Sequence, residues 1–343
     1  MNIFASNKIK RLGVAGISLA AALAFTAGEV WAATEWNVSL WGKRRAFTEH
    51  IERMAELVAE RSNGDFTLKL HYGGALSKNR ENLDGISIGA FEMAQFCAGY
   101  HRDKNPSITV LELPFLGVST LEEEIAVSQA VYNHPATKAD MARWNAMLLM
   151  PSPLPQYNLV GVGDAPTTLA DFDGMRVRAT GGIGNAFKLI GAVPTSMTAS
   201  EVYNAMESGV VSSVAFAPHA HMAFRTSDIA KWWTTNLNPG TVNCPVVANI
   251  DSFNALPKAH QDILLGAVGE SLQHYLDVYG MVYEKWDPLL VTSNIRKITL
   301  SDYVISDFRT KAAGPVRDAW LSDMSGRGLP AQELYDLVQD TLK

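Results

Sequence analysis

Apolar and polar positions change period several times along the chain, and each change marks an element. From about residue 35 the run "EWNVSLWG" alternates and predicts a strand. In "KRRAFTEHIERMAELVAERSNG", Phe47, Ile51, Met54, Leu57 and Val58 recur at three- and four-residue spacing, one face of a helix that Asn63-Gly64 stops. "DFTLKLHYG" alternates again, "SKNRENLDGISIG" reads as a second helix, and "FEMAQFCAGY" as a third strand. Strand and helix in turn predict an α/β sheet with parallel neighbours.

Residues 106–150 read as a turn followed by two helices, after which the α/β alternation resumes. "QYNLVGVG" is a strand, "TLADFDGMRVRATG" a turn and strand, "GIGNAFKLIGA" a helix, and "ASEVYNAMESGVVSSVAFAP" a helix and strand. One helix is expected from Lys258 to Trp286, well beyond the usual length of about 11–12 residues. Recurrence of the unit on both sides of the middle stretch implies two lobes, with the long helix reaching from one to the other. The fold class is therefore α/β: a two-lobe clamshell with hinge strands and a long bracing helix. Residues 33–155 plus 244–284 are assigned to lobe I, and 156–243 plus 285–343 to lobe II.

The first 32 residues stand apart. Lys8, Lys10 and Arg11 precede an apolar run from about Leu12 to Ala27, and small residues follow at Ala32-Ala33. This is the layout of a signal peptide cleaved near Ala32, the run being too short and too Ala-rich to span a membrane comfortably. It implies an exported protein. Without those residues, which also hold Glu29, the net charge moves from −6 to −8. An acidic chain lacks the basic footprint of a nucleic-acid binder. Cys97 and Cys244 are too few for a disulfide scaffold. They read first as small buried hydrophobes, and sequence supplies no geometry for a bridge between them.

No GxSxG elbow, HExxH, P-loop or CxxC is present, and "GGIGNA" lacks the full dinucleotide spacing. No enzyme, metal or cofactor is expected. His219 and His221, in "APHAHMAF", read as capping or surface packing on a strand-to-helix turn, and Trp232-Trp233 as lobe packing. "GMRVRATGG" is different. It sets Arg176 and Arg178 two apart, on one side of a strand.

Four stretches together carry a resemblance: "GGALSKNRENLDGISIGAFEMA", "LELPFLG", "LADFDGMRVRATGG" and "GAVPTSMTASEVYNAMESGVV". Over essentially all of the sequence beyond residue 32, the chain resembles the solute-binding proteins of tripartite ATP-independent periplasmic (TRAP) transporters, the DctP-like family. The resemblance implies a periplasmic receptor that closes on a small organic anion and delivers it to membrane permease subunits. The family pattern G-x-K-hydrophobic-R places its usual lysine at Arg176 and its ligand-pairing arginine at Arg178. A guanidinium suits that role because its planar fork matches a carboxylate and keeps its charge when buried. Arg176 is left as a structural partner.

Departures from the family shape the expected pocket. An asparagine that orients ligand falls on Phe216, a second arginine of acidic-sugar binders falls on Asn158 beside Tyr157, and a pocket carboxylate falls on Cys97. Asn79 matches a ligand-facing turn, while Trp41 and Tyr100 end segments at the cleft and offer aromatic faces. One arginine among aromatics implies an aromatic or hydrophobic monocarboxylate. A dicarboxylate would ask for a second cation; a sulfonate would satisfy Arg178 equally. An ATP-driven cassette receptor and an exported hydrolase are the rivals, the first disfavoured by the "EVYNAME" helix and the second by the missing catalytic groups.

Overall fold

The computed structural model describes residues 33–343; the expected signal peptide lies outside them. The chain lays down β1 (Thr34–Leu40), β2 (Phe66–His71), β3 (Met93–Gln95) and β4 (Ala146–Pro151). It then crosses to a second sheet through β5 (Asn158–Gly161), β6 (Arg176–Arg178), β7 (Val193–Thr195), β8 (Ser213–Phe216) and β9 (Trp232–Thr234). β10 (Pro245–Asn249) returns to the first sheet and β11 (Arg296–Ile298) to the second. The first sheet has the order β2-β1-β3-β10-β4, and the second β11-β9-β5-β8-β6-β7. β1 runs parallel to β2 and β3, whereas β10 runs antiparallel to β3 and β4.

Side chains of a strand alternate between faces, and the first sheet buries both. In β10, Val246 and Ala248 pack with Ile51, Met54 and Leu57, while Val247 packs on the other side with Leu83, Ile86 and Phe96. Helix Glu49–Arg61 is preceded by a 3-10 turn, Ala46–Thr48; the helix buries four of the five apolar positions expected of it and the turn buries the fifth, Phe47. Two features differ from the sequence reading. The helix expected over Lys258–Trp286 is two helices, Lys258–Gly266 and Val268–Thr292, because Ala267 serves as C-cap of one and N-cap of the next. "AMLLM" is β4, not helix.

The helix Val268–Thr292 packs on Glu49–Arg61, on Pro218–Ala223 and on β11, and so touches elements of both sheets. The last segment is shared differently from the lobe assignment above. Val304, Phe308 and Ala312 of helix Asp302–Gly326 lie in the second sheet's core, but Val316, Trp320 and Met324 lie with Leu334 and Val338 in the first sheet's. The helix is long enough, at about 1.5 Å per residue, to serve both. Among the described residues no helix is long and apolar enough to cross a membrane.

Candidate functional site

Arg178 ends β6, where parallel pairing with β7 and β8 aims it into the space between the sheets. It is 2% exposed, whereas Arg176 at the other end of the same strand is exposed. Sharing a face does not mean sharing an environment when the strand is three residues long. Among the described residues Arg176 forms no ion pair, so the side-chain partnership expected of it is not seen there; its backbone carbonyl accepts from the Ser212 N–H and hydroxyl. Arg178 Nε and Nη2 donate to the Met197 carbonyl (3.2 and 2.8 Å) and Nη1 to the Ala215 carbonyl (3.3 Å). Nη2 also reaches the Tyr100 hydroxyl at 3.3 Å. Its guanidinium carbon lies 4.4 Å from the centre of the Phe216 ring. Among the described residues no carboxylate pairs with it.

The Tyr100 oxygen accepts from the backbone N–H of Ala199 as well, at 3.0 Å. One oxygen thus receives a guanidinium and a main-chain donor, the setting an anionic oxygen requires. Around it lies a cavity lined by Trp41, Tyr157, Phe216 and Phe224, together with Phe47 and the Cys97 and Cys244 sulfurs. The space between these side chains is about 30 Å³. That admits roughly two waters, so an aromatic acid enters only if the cleft opens. Trp41 stacks on Phe224 with centroids 6.2 Å apart, and its buried indole N–H has no partner among the described residues.

The structure therefore brings together Arg178, Trp41, Cys97, Tyr100, Tyr157 and Phe216. It does not bring in Asn79 or Asn158. Asn79 stands at the rim, its Nδ2 3.5 Å from Ser200 Oγ across the cleft. Asn158 is turned away: Nδ2 donates to Asn238, and Oδ1 accepts from Thr234 and from the Leu237 backbone, tying β5 to the segment after β9. Cys97 and Cys244 are a disulfide rather than two thiols, because β3 and β10 pair and bring their flanking residues side by side. His219 and His221 are buried, not surface, and burial holds both rings neutral. His219 bonds Tyr279 and stacks on Phe47; His221 bonds Thr226 and stacks on Trp286. Trp232 and Trp233 are buried in β9, which accords with packing.

The expectation of a single cation is overturned. Arg45 lines the same cavity. Its guanidinium carbon lies 4.8 Å from the ring centres of Trp41 and Phe47 and 5.4 Å from that of Phe224. Burial pulls it down to about 10. The residue was hidden in a basic run taken as part of a helix. The usable signal was electrostatic: Lys43, Arg44 and Arg45 precede a helix N-terminus, where the macrodipole disfavours cations.

Comparison with known proteins fits this geometry. A solute-binding protein of Sulfitobacter sp. (strain NAS-14.1) is 24% identical over 341 residues, covering 92% of this chain and 95% of that one. In fold the chain is similar to a marine metagenome TRAP solute-binding protein specific for aromatic acid ligands, solved with 3-hydroxybenzoate (TM-score 0.81, 19% identity, 90% of this chain and 98% of that one). It is similar also to a Bordetella pertussis extracytoplasmic solute receptor binding pyroglutamic acid (TM-score 0.79, 21% identity, 90% and 100% covered). The model of the bacterial extracellular solute-binding proteins, family 7, matches residues 38–323, and the chain belongs to that DctP family of TRAP transporter receptors.

Proposed function

We propose that this chain is the periplasmic receptor of a TRAP transporter for an organic acid with a flat, apolar body, which it hands to the membrane permease subunits. The carrying observation is Arg178, a buried guanidinium with no ion-pair partner among the described residues, set against Phe216 in an aromatic-lined cavity. A buried cation left unpaired is costly, and a ligand carboxylate repays that cost. The Tyr100 oxygen, fed by Arg178 and the Ala199 N–H, marks the position that a ligand carboxylate oxygen takes over. The similar receptor for aromatic acids lends the reading support without deciding the ligand.

A thermal-shift screen of the purified protein against aromatic acids, 2-oxoacids, sulfonates and short aliphatic dicarboxylates tests it, since a ligand stabilises by mass action. Flat acids are expected to give the largest shifts. Arg178→Ala, and Arg178→Lys to a lesser degree, lose about 2–5 kcal/mol of binding, roughly 30- to several-thousand-fold in Kd, while remaining folded. An Arg178→Ala isotherm unchanged from wild type would sink the assignment.

A further inference from the structure

Three basic residues follow Gly42, and they behave differently. Lys43 is exposed, and Arg44 pairs with Glu49 and Glu52. Arg45 alone turns inward. Its Nη1 donates to the Lys43 carbonyl at 2.9 Å, and its Nε is buried with no partner among the described residues. Among the described residues no carboxylate lies within ion-pair reach of it, and Arg178 is the other arginine that lines this cavity. Gly42 makes the inward turn feasible: a Cβ there would lie 2.2 Å from Arg45 Nη1.

The two guanidiniums stand at opposite ends of one aromatic wall. Arg178 faces Phe216, the Phe216 and Phe224 rings are 5.9 Å apart, and Phe224 faces Arg45. A cation–π cage stabilises a guanidinium but leaves its positive charge uncompensated. Arg45 also borders a surface groove lined by Met222, Val278 and Met281, so it closes the cavity on that side.

We infer that Arg45 is a second anion-binding residue, and that the ligand is a flat acid with a second acidic group at the end away from Arg178. This rests on the receptor reading above, with the same cavity and the carboxylate at Arg178. It replaces the monocarboxylate expectation, and it places the second cation on the segment after β1 instead of at position 158. An aromatic dicarboxylate has the required shape: two anionic ends on a rigid ring, the ring against Phe216 and Phe224.

Calorimetric titration of the purified protein with terephthalate, isophthalate and benzoate, on wild type, Arg45→Met, Arg45→Lys and Arg178→Ala, tests the inference. Wild type is expected to prefer one of the two diacids over benzoate by about 30-fold or more. Arg45→Met collapses that ratio towards one, Arg45→Lys keeps most of it, and Arg178→Ala weakens all three acids. A ratio unchanged in Arg45→Met, or a wild type that binds benzoate as well as both diacids, overturns the role of Arg45 and leaves Arg178 standing. Affinities unchanged in Arg178→Ala overturn the receptor reading itself. A ligand-free readout stands beside these: removing a half-buried cation that has no ion-pair partner among the described residues is expected to raise the melting temperature in Arg45→Met, and a fall would show that Arg45 is there for packing.

Discussion

Glu112 and Glu124 are buried side chains whose hydrogen bonding falls short of what two charges need. Glu112 Oε1 accepts from the Gly99 and Asn243 backbone N–H groups, but Oε2 has no partner, nor has Glu124 Oε1. Burial raises Glu112 to about 7 and Glu124 to about 8, and the Glu112 charge adds to the rise at Glu124. In the unfolded chain both titrate near about 4.3. Stability from these groups is thus fully present below that value and is lost as pH rises to about 8, because the unfolded state releases its protons first. His50, His101, His219 and His221, held low by burial, act in the opposite sense as pH falls below about 6.5. Glu124→Gln isolates the acidic part. Its gain in unfolding free energy over wild type is expected to grow by roughly 3 kcal/mol between about pH 5 and about pH 8, by urea titration. A gain independent of pH would mean that Glu124 is already ionised in the fold. Residue by residue, Arg178 was legible because a motif of fixed spacing carries it. Arg45 was not, since no local pattern says that the third of three basic residues turns inward, and Asn158 was misplaced because a sequence match cannot show which way a buried amide points.

Strands that alternate announced themselves, and some of those buried on both faces did not. β1 and β2 alternate and were read correctly, whereas β4, β9 and β10, "AMLLMP", "WWT" and "PVVAN", carry apolar residues on both faces and hide the period of two. The disulfide follows from that gap: without β10 there was no reason to place Cys244 beside Cys97. It closes a loop of 147 positions where β3 and β10 leave the first sheet, and loop-closure entropy alone assigns it about 5 kcal/mol. The double variant Cys97→Ala/Cys244→Ala is expected to lose roughly 2–5 kcal/mol in denaturant unfolding. Two titratable thiols in the denatured, unreduced protein would refute the bridge. The glycines of "GGIGNA" also gain a physical reason. A Cβ on Gly182 would lie 2.2 Å from the Glu112 carbonyl oxygen and one on Gly181 2.4 Å from Oε2, so helix Gly181–Leu189 touches the 3-10 turn Pro106–Glu112 only because both are glycine. Gly182→Ala is expected to lower the melting temperature by several degrees, and an unchanged melt would show that the contact yields.

At the scale of the whole molecule, the two sheets meet through few polar ties. Tyr100, past β3, holds Arg178 and Ala199, and Asn79 approaches Ser200. The helix Val268–Thr292 braces both sides. The two-sheet α/β architecture was legible because each half repeats a complete α/β unit; the sharing of helix Asp302–Gly326 between cores was not, since its apolar positions keep one helical period across the point where it passes from one sheet to the other. The cavity is too tight for an aromatic acid in this arrangement, and hydroxyl-to-guanidinium contacts contribute only about 1.5–3 kcal/mol each. Such a cleft is expected to open on the microsecond-to-millisecond timescale usual for hinge motions, with ligand binding shifting the population to the closed form. By small-angle scattering the saturated protein is expected near the roughly 19–20 Å radius of gyration of a compact chain of its size, and the ligand-free protein measurably above it. Trp41 lies on the cavity wall, stacked on Phe224, so its emission changes on binding, and Trp41→Phe is expected to remove most of that change. Scattering curves that superimpose with and without a saturating ligand would show a rigid cavity, and the route by which an acid reaches Arg178 would then have to run past Arg45.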